Sequence, residues 1–151
     1  MLDPAPTTKI DPSLARGTLD EVHDATATKA AYLVVTFPNT DYRMHLRPFG
    51  DDLGPFRGKE GQKLIGRIRA QARRLDSVGA GGRYVEPCFG RPRRVQGMVG
   101  SIAGDQGAVL VNAGVPVHLM VTAPGQTAGQ FGEGDFLTCG VLDGATFEVV
   151  E

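Results

Sequence analysis

The chain has no tryptophan, only two cysteines, three serines and three histidines among its 151 residues, and no lysine or arginine after Arg94. Each scarcity removes a class of chemistry. Cys88 and Cys139 lie far apart in no CxxC or Cys/His arrangement, which suggests neither a disulfide framework nor a zinc site and reads as two reduced, mostly structural thiols. Cys88 alone has Arg-rich surroundings that would favour a thiolate, but no histidine stands near it in sequence. None of the serines falls in a GxSxG turn. His23, His45 and His118 lack metal-ligand spacing and read as strand-face residues. Asp105, Asp135 and Asp143 adjoin glycines, and Asp24 closes an apolar-patterned segment, so all four read as turn formers before catalytic carboxylates. The expectation is a protein that is not an enzyme, with no catalytic residues, metal or cofactor. No apolar run is long enough to span a membrane, and MLDPAPTTKIDPSLAR has no leader character, so a cytoplasmic location is expected.

What is abundant is glycine, 21 residues, and proline, 10 residues, without any collagen-like period. That composition favours short strands joined by many turns. Residues 1–16 carry three of the prolines and little periodicity, as a flexible N-terminal tail would. Thr18 and Glu21 have capping-box spacing, but the segment is short and lacks a continuing apolar stripe, so it reads as strand. AAYLVVTF (30–37) is β-branched and aromatic, PNTD (38–41) is turn chemistry, and YRMHLRP alternates Tyr42, Met44 and Leu46 against Arg43, His45 and Arg47. This predicts a hairpin with one half-solvated face.

The end of the chain has the punctuation of its beginning. Gly17, Leu19 and Val22 correspond to Gly97, Val99 and Ile102; Ala31-Tyr-Leu-Val to Ala108-Val-Leu-Val; His45-Leu46 to His118-Leu119; Phe56, Gly61 and Gly66 to Phe131, Gly134 and Gly140. This reads as a degenerate tandem repeat of about 75–80 residues. Apolar positions two and five after the glycine have mixed parity, which a bulged strand accommodates and a regular one does not. A long bulged strand, a hairpin, a loop and two more strands resembles the OB-fold plan, a small five-stranded barrel. The expected fold is therefore all-β, with tandem OB-like barrels at 17–86 and 94–151, a linker at 87–93 and a disordered tail before them. Shared architecture carries no function with it.

Charge is sharply segregated. Residues 57–94 hold eleven Lys and Arg against Glu60, Asp76 and Glu86, in a chain of net charge −1. Residues 63–75 would place Leu64, Ile65, Ile68, Ala72 and Leu75 on one helical arc, but Gly66, Ile68, Ala70 and Ala72 also alternate with Arg67, Arg69, Gln71 and Arg73. The correspondence with GDFLTCGVL favours strand. VGAGGRY (78–84) lacks the GK[ST] of a phosphate loop and reads as a hairpin loop. Arg67, Arg69, Arg73, Arg83, Arg91, Arg93 and Arg94, with Tyr84 and Phe89 between them, form the candidate nucleic-acid-binding set. Guanidinium forks take phosphates bidentately, and aromatic faces stack on any base. The expected function is a binding module for single-stranded nucleic acid or another polyanion. The alternative is a scaffold protein, a homo-oligomer assembled through basic-to-acidic subunit contacts.

Overall fold

The structure, a computed structural model, describes residues 11–79 and 81–150. Strands follow one another as β1 (Ala15–His23), β2 (Tyr32–Thr36), β3 (Arg43–Pro48), β4 (Lys63–Ala72), β5 (Asp76–Ser77) and β6 (Tyr84–Glu86). The second half continues with β7 (Phe89–Gly90), β8 (Arg94–Ala103), β9 (Ala108–Asn112), β10 (Pro116–Val121), β11 (Phe136–Gly140) and β12 (Thr146–Val149). The only helical pieces among the described residues are three single 3₁₀ turns, at Phe49–Asp51, Gly104–Gln106 and Ala128–Gln130. The all-β expectation holds.

Residues 63–72 form the expected strand, although their intrinsic propensity also suits a helix. The inward face is Leu64, Gly66, Ile68, Ala70 and Ala72, all buried, while Arg67 and Arg69 point outward. Pairing on both edges outweighs local preference. Gly66 and residues 68–69 each have partners on two sides, which assigns the edges. One edge of β4 takes β1 over 63–66 and then β10 over 68–72; the other takes β12 over 66–69 and then Val141, opposite Ala72. Gly66 has to be glycine, because a Cβ there would collide with the Glu148 carbonyl oxygen and the Phe147 ring.

Strands β1, β2, β3, β12 and β4 close on themselves as a five-stranded barrel. Neighbours are antiparallel except β3 and β12, which run parallel. Of the other strands, β10, β9, β8 and β11 run outward from β4 in that order and β11 leads back to β4, while β5 pairs with β11, β6 with β8 and β7 with β3. The return is made by the Ala72–Val141 bridge, by Arg73 N–H to the Gly140 carbonyl at 2.8 Å, and by Leu142 N–H to the Gln71 carbonyl at 2.8 Å. The bulge expected in the first strand lies between Leu19 and Glu21, and β8 carries one at the matching place, between Val99 and Ser101. Both relieve the mixed parity seen in sequence.

Two boundaries need adjustment. Residues 1–10 of the expected tail lie outside the described residues, but Ala15 and Arg16 already belong to β1, opposite Gly66 and Ile65, because buried Ala15 completes the barrel wall. Within the expected linker 87–93, β7 pairs with β3. Pairing also crosses between segments 17–86 and 94–151, since β12 joins β3 and β4 while β10 joins β4. One apolar cluster accordingly runs through both segments, from Leu19 and Leu46 to Val111 and Phe147.

Closure by β12 depends on Phe147, which is fully buried with its ring 6.2 Å from that of Phe56. Phe147→Ala is expected to cost about 3–5 kcal/mol in urea unfolding. The neighbouring partly exposed Val150, changed to Ala, should stay within about 0.5 kcal/mol. Equal effects at the two positions would contradict closure of the barrel by this strand.

Candidate polyanion groove

Strand alternation sets the outward residues, and register brings them into line. Arg47 of β3 lies opposite Thr146 of β12, Thr146 opposite Arg69 of β4, and Arg69 opposite His118 of β10. Adjacent strands lie about 4.8 Å apart, so this row spreads three basic side chains over four strands, within about 15 Å. Arg67 lies two residues along β4 on the same face, and Phe49, just after β3, stands beside Arg69 with the guanidinium 5.0 Å from the ring centroid. Together they line an open groove of roughly 680 Å³.

Two carboxylates serve four arginines here. Glu148, opposite Arg67 in register, accepts ion pairs from Arg67 at 3.4 Å and Arg69 at 3.2 Å. Asp143, in the turn before β12, binds Arg47 at 3.2 Å and Arg91 at 3.0 Å. Each guanidinium has five N–H donors, and a carboxylate shared between two of them engages only part of the set. The groove therefore keeps an excess of positive charge and outward-facing donors. His118 is oriented by its Nε2–H, which donates to the Ser13 carbonyl at 2.8 Å.

A second cleft, about 300 Å³, continues past Arg47, Asp143 and Gly144 and is lined by Lys29, Tyr32, His45 and Arg91. Its Tyr32 stacks between His45 and His23, the latter outside the cleft, with ring centroids 5.0 and 4.4 Å apart and Lys29 Nζ 4.1 Å from the Tyr32 ring centre. Burial, then Lys29 and Arg43, hold the His45 pKa below its usual value. A third cleft, about 340 Å³, lies among Pro87, Phe89, Arg91 and Arg93.

Of the residues singled out in sequence, Arg67 and Arg69 share the large groove, Arg91 joins the second and third clefts, and Phe89 and Arg93 line the third. The others lie elsewhere. Arg73 stands past the end of β4 beside Gly140. Arg83 reaches Met98, Tyr84 donates its hydroxyl to Gln96 Oε1 at 2.9 Å, and Arg94 lies opposite Glu86 on β8. Sequence reasoning missed Arg47, Phe49, Asp143 and Glu148. The alternation of β3 already placed Arg47 outward, but its partners follow from the return of β12 to the first barrel, a pairing that no local pattern carries.

The thiols differ as burial dictates. Cys88 is exposed, whereas Cys139 is buried and its pKa is pushed up to about 12. No three His, Cys, Asp or Glu side chains among the described residues converge as metal ligands, and no helix of the structure is long and apolar enough to cross a membrane. Comparison of the chain with family models, with curated proteins and with solved structures finds no match.

Two measurements follow from these environments. Native protein should take up one equivalent of a thiol reagent, at Cys88, and a second only on unfolding; rapid native labelling of both would contradict the burial of Cys139. Because the folded pKa of His45 is depressed, its contribution to stability is present above the usual value of 6.5 and is lost as pH falls through the folded value. His45→Gln should therefore flatten the acid side of the stability curve just below pH 6.5, and an unchanged slope there would remove this assignment.

Proposed function

We propose that the chain is a non-enzymatic binding protein that holds single-stranded nucleic acid by its phosphates, in the groove where β3, β12, β4 and β10 meet. The single observation that carries this reading is the pairing of four guanidiniums with only two carboxylates, Glu148 and Asp143, three of the four, Arg47, Arg67 and Arg69, lining an open groove beside a half-exposed aromatic, Phe49. Arginine suits the task because its planar fork matches phosphate oxygens and is weakly hydrated. A single strand is favoured over a duplex because the basic surface is confined to a groove in a chain of net charge −1, and because exposed rings can stack on unpaired bases.

The fold reading that accompanies this function is a pair of OB-like barrels that share β4. Support comes from the strand order β1-β2-β3-β12-β4 with its parallel β3–β12 pair, from the matched bulges, and from the return of β11 to β4. In this reading the half of β4 beyond Ile68 serves as the fifth strand of the second barrel, and β12 serves as the fifth strand of the first. The two repeats thus exchange their last strands, and the groove lies along the exchange.

Fluorescence anisotropy with a labelled oligothymidine tests the binding. Log affinity should fall with log salt at a slope of roughly −3 for four phosphate contacts, and Arg67→Ala with Arg69→Ala should reduce that slope by about 1.4. Both guanidiniums face the open groove but are partly buried, so the double variant should unfold within about 2 kcal/mol of the parent. No binding by the parent protein at low salt would remove the reading. Dissociation of an assembly by the pair Arg67→Glu and Arg69→Glu, with nucleic acid playing no part, would replace it with self-association through these residues.

A further inference from the structure

The three clefts share residues end to end. The large groove and the second cleft have Arg47, Asp143 and Gly144 in common, and the second and third share Arg91. An arginine therefore stands at each junction. Two of the few large apolar side chains left in solvent line the path, Phe49, 44% exposed, in the large groove and Phe89, 67% exposed, in the third cleft. Phe89 is not part of the apolar core, and it lines the third cleft with Glu86, Arg91 and Arg93.

We infer that the clefts form one continuous track for a single nucleic-acid strand, in which Phe89 is a base-stacking station remote from the β4 groove. The inference rests on the groove reading above and adds to it a direction, a length and a second anchoring ring. The chemistry repeats along the path: guanidiniums at Arg67, Arg69, Arg47, Arg91 and Arg93 line it in turn, with a ring for a base in the large groove and another in the third cleft. Single strands occupy roughly 4–16 nucleotides per binding fold, so lengths from 4 to 16 bracket the span from a single groove to the whole track.

Oligothymidines of 4, 8, 12 and 16 nucleotides, titrated at low salt into the full chain and into Phe89→Ala and Phe49→Ala, test this. Affinity of the parent protein should rise with length beyond four nucleotides and then level off. Phe89→Ala should weaken the 16-mer by about five- to a hundred-fold, the range for losing one stacked base, and leave the 4-mer nearly unchanged. Phe49→Ala should weaken both. Because Phe89 is so exposed, its truncation leaves the core intact, and a matching unfolding curve checks this. If the parent binds the 16-mer and Phe89→Ala binds it equally well, the track ends before the third cleft and the inference fails while the groove stands. If the parent binds no length, the groove reading fails and the track with it.

Discussion

The structure depends on one strand being hydrogen-bonded along both edges by four different segments. β4 is ten residues long, enough for β1 and β10 to dock in succession on one edge and for β12 and Val141 to do so on the other. Its inward side chains have to be small or apolar, since they face the interior. Gly66, Ala70 and Ala72 meet that demand, and Ile68 fills the space between them. With no free edge, the strand also removes the hazard that a long, flat strand would otherwise present to other chains.

That placement determines the electrostatics. Outward residues on a central strand are neighbours of outward residues on whatever pairs with it, so Arg67 and Arg69 meet Glu148 and stand in line with Arg47 and His118. The acidic half of the chain thereby contributes its carboxylates to the basic stretch within one molecule. Neutralisation is partial, because Glu148 and Asp143 each serve two guanidiniums. Partly exposed pairs of this kind contribute modestly to stability, and they hold long side chains in place at the groove.

A buried polar contact ties the parts together from the other side. Tyr42 donates its hydroxyl to the Ala113 carbonyl at 2.8 Å and accepts the Val85 N–H at 2.9 Å, linking the first hairpin to β6 and to the turn after β9. Both capacities of the oxygen are met, which offsets the cost of burying it, and burial raises the pKa of the phenol. The third cleft hangs on the same neighbourhood, because Arg43 N–H donates to the Cys88 carbonyl at 2.7 Å and β7 runs beside β3.

Much of this was legible in the order of residues. Alternation in YRMHLRP and in GRIRAQA announced strands and named their solvent faces, and mixed parity after Gly17 and Gly97 announced bulges. These are local properties, set by a side-chain period of two and by the geometry of the peptide unit. The partners of each strand were not legible, because pairing depends on which distant edges remain open when the barrel closes. Arg67 and Glu148 lie 81 residues apart, and Arg47 and Asp143 lie 96 apart, so the groove that they line exists only once β12 has returned to β3 and β4. The basic stretch was visible as a run of charge, but the meeting of its Arg67 and Arg69 with Arg47 from outside it, and the dispersal of Arg73, Arg83 and Arg94, came from strand pairing in three dimensions.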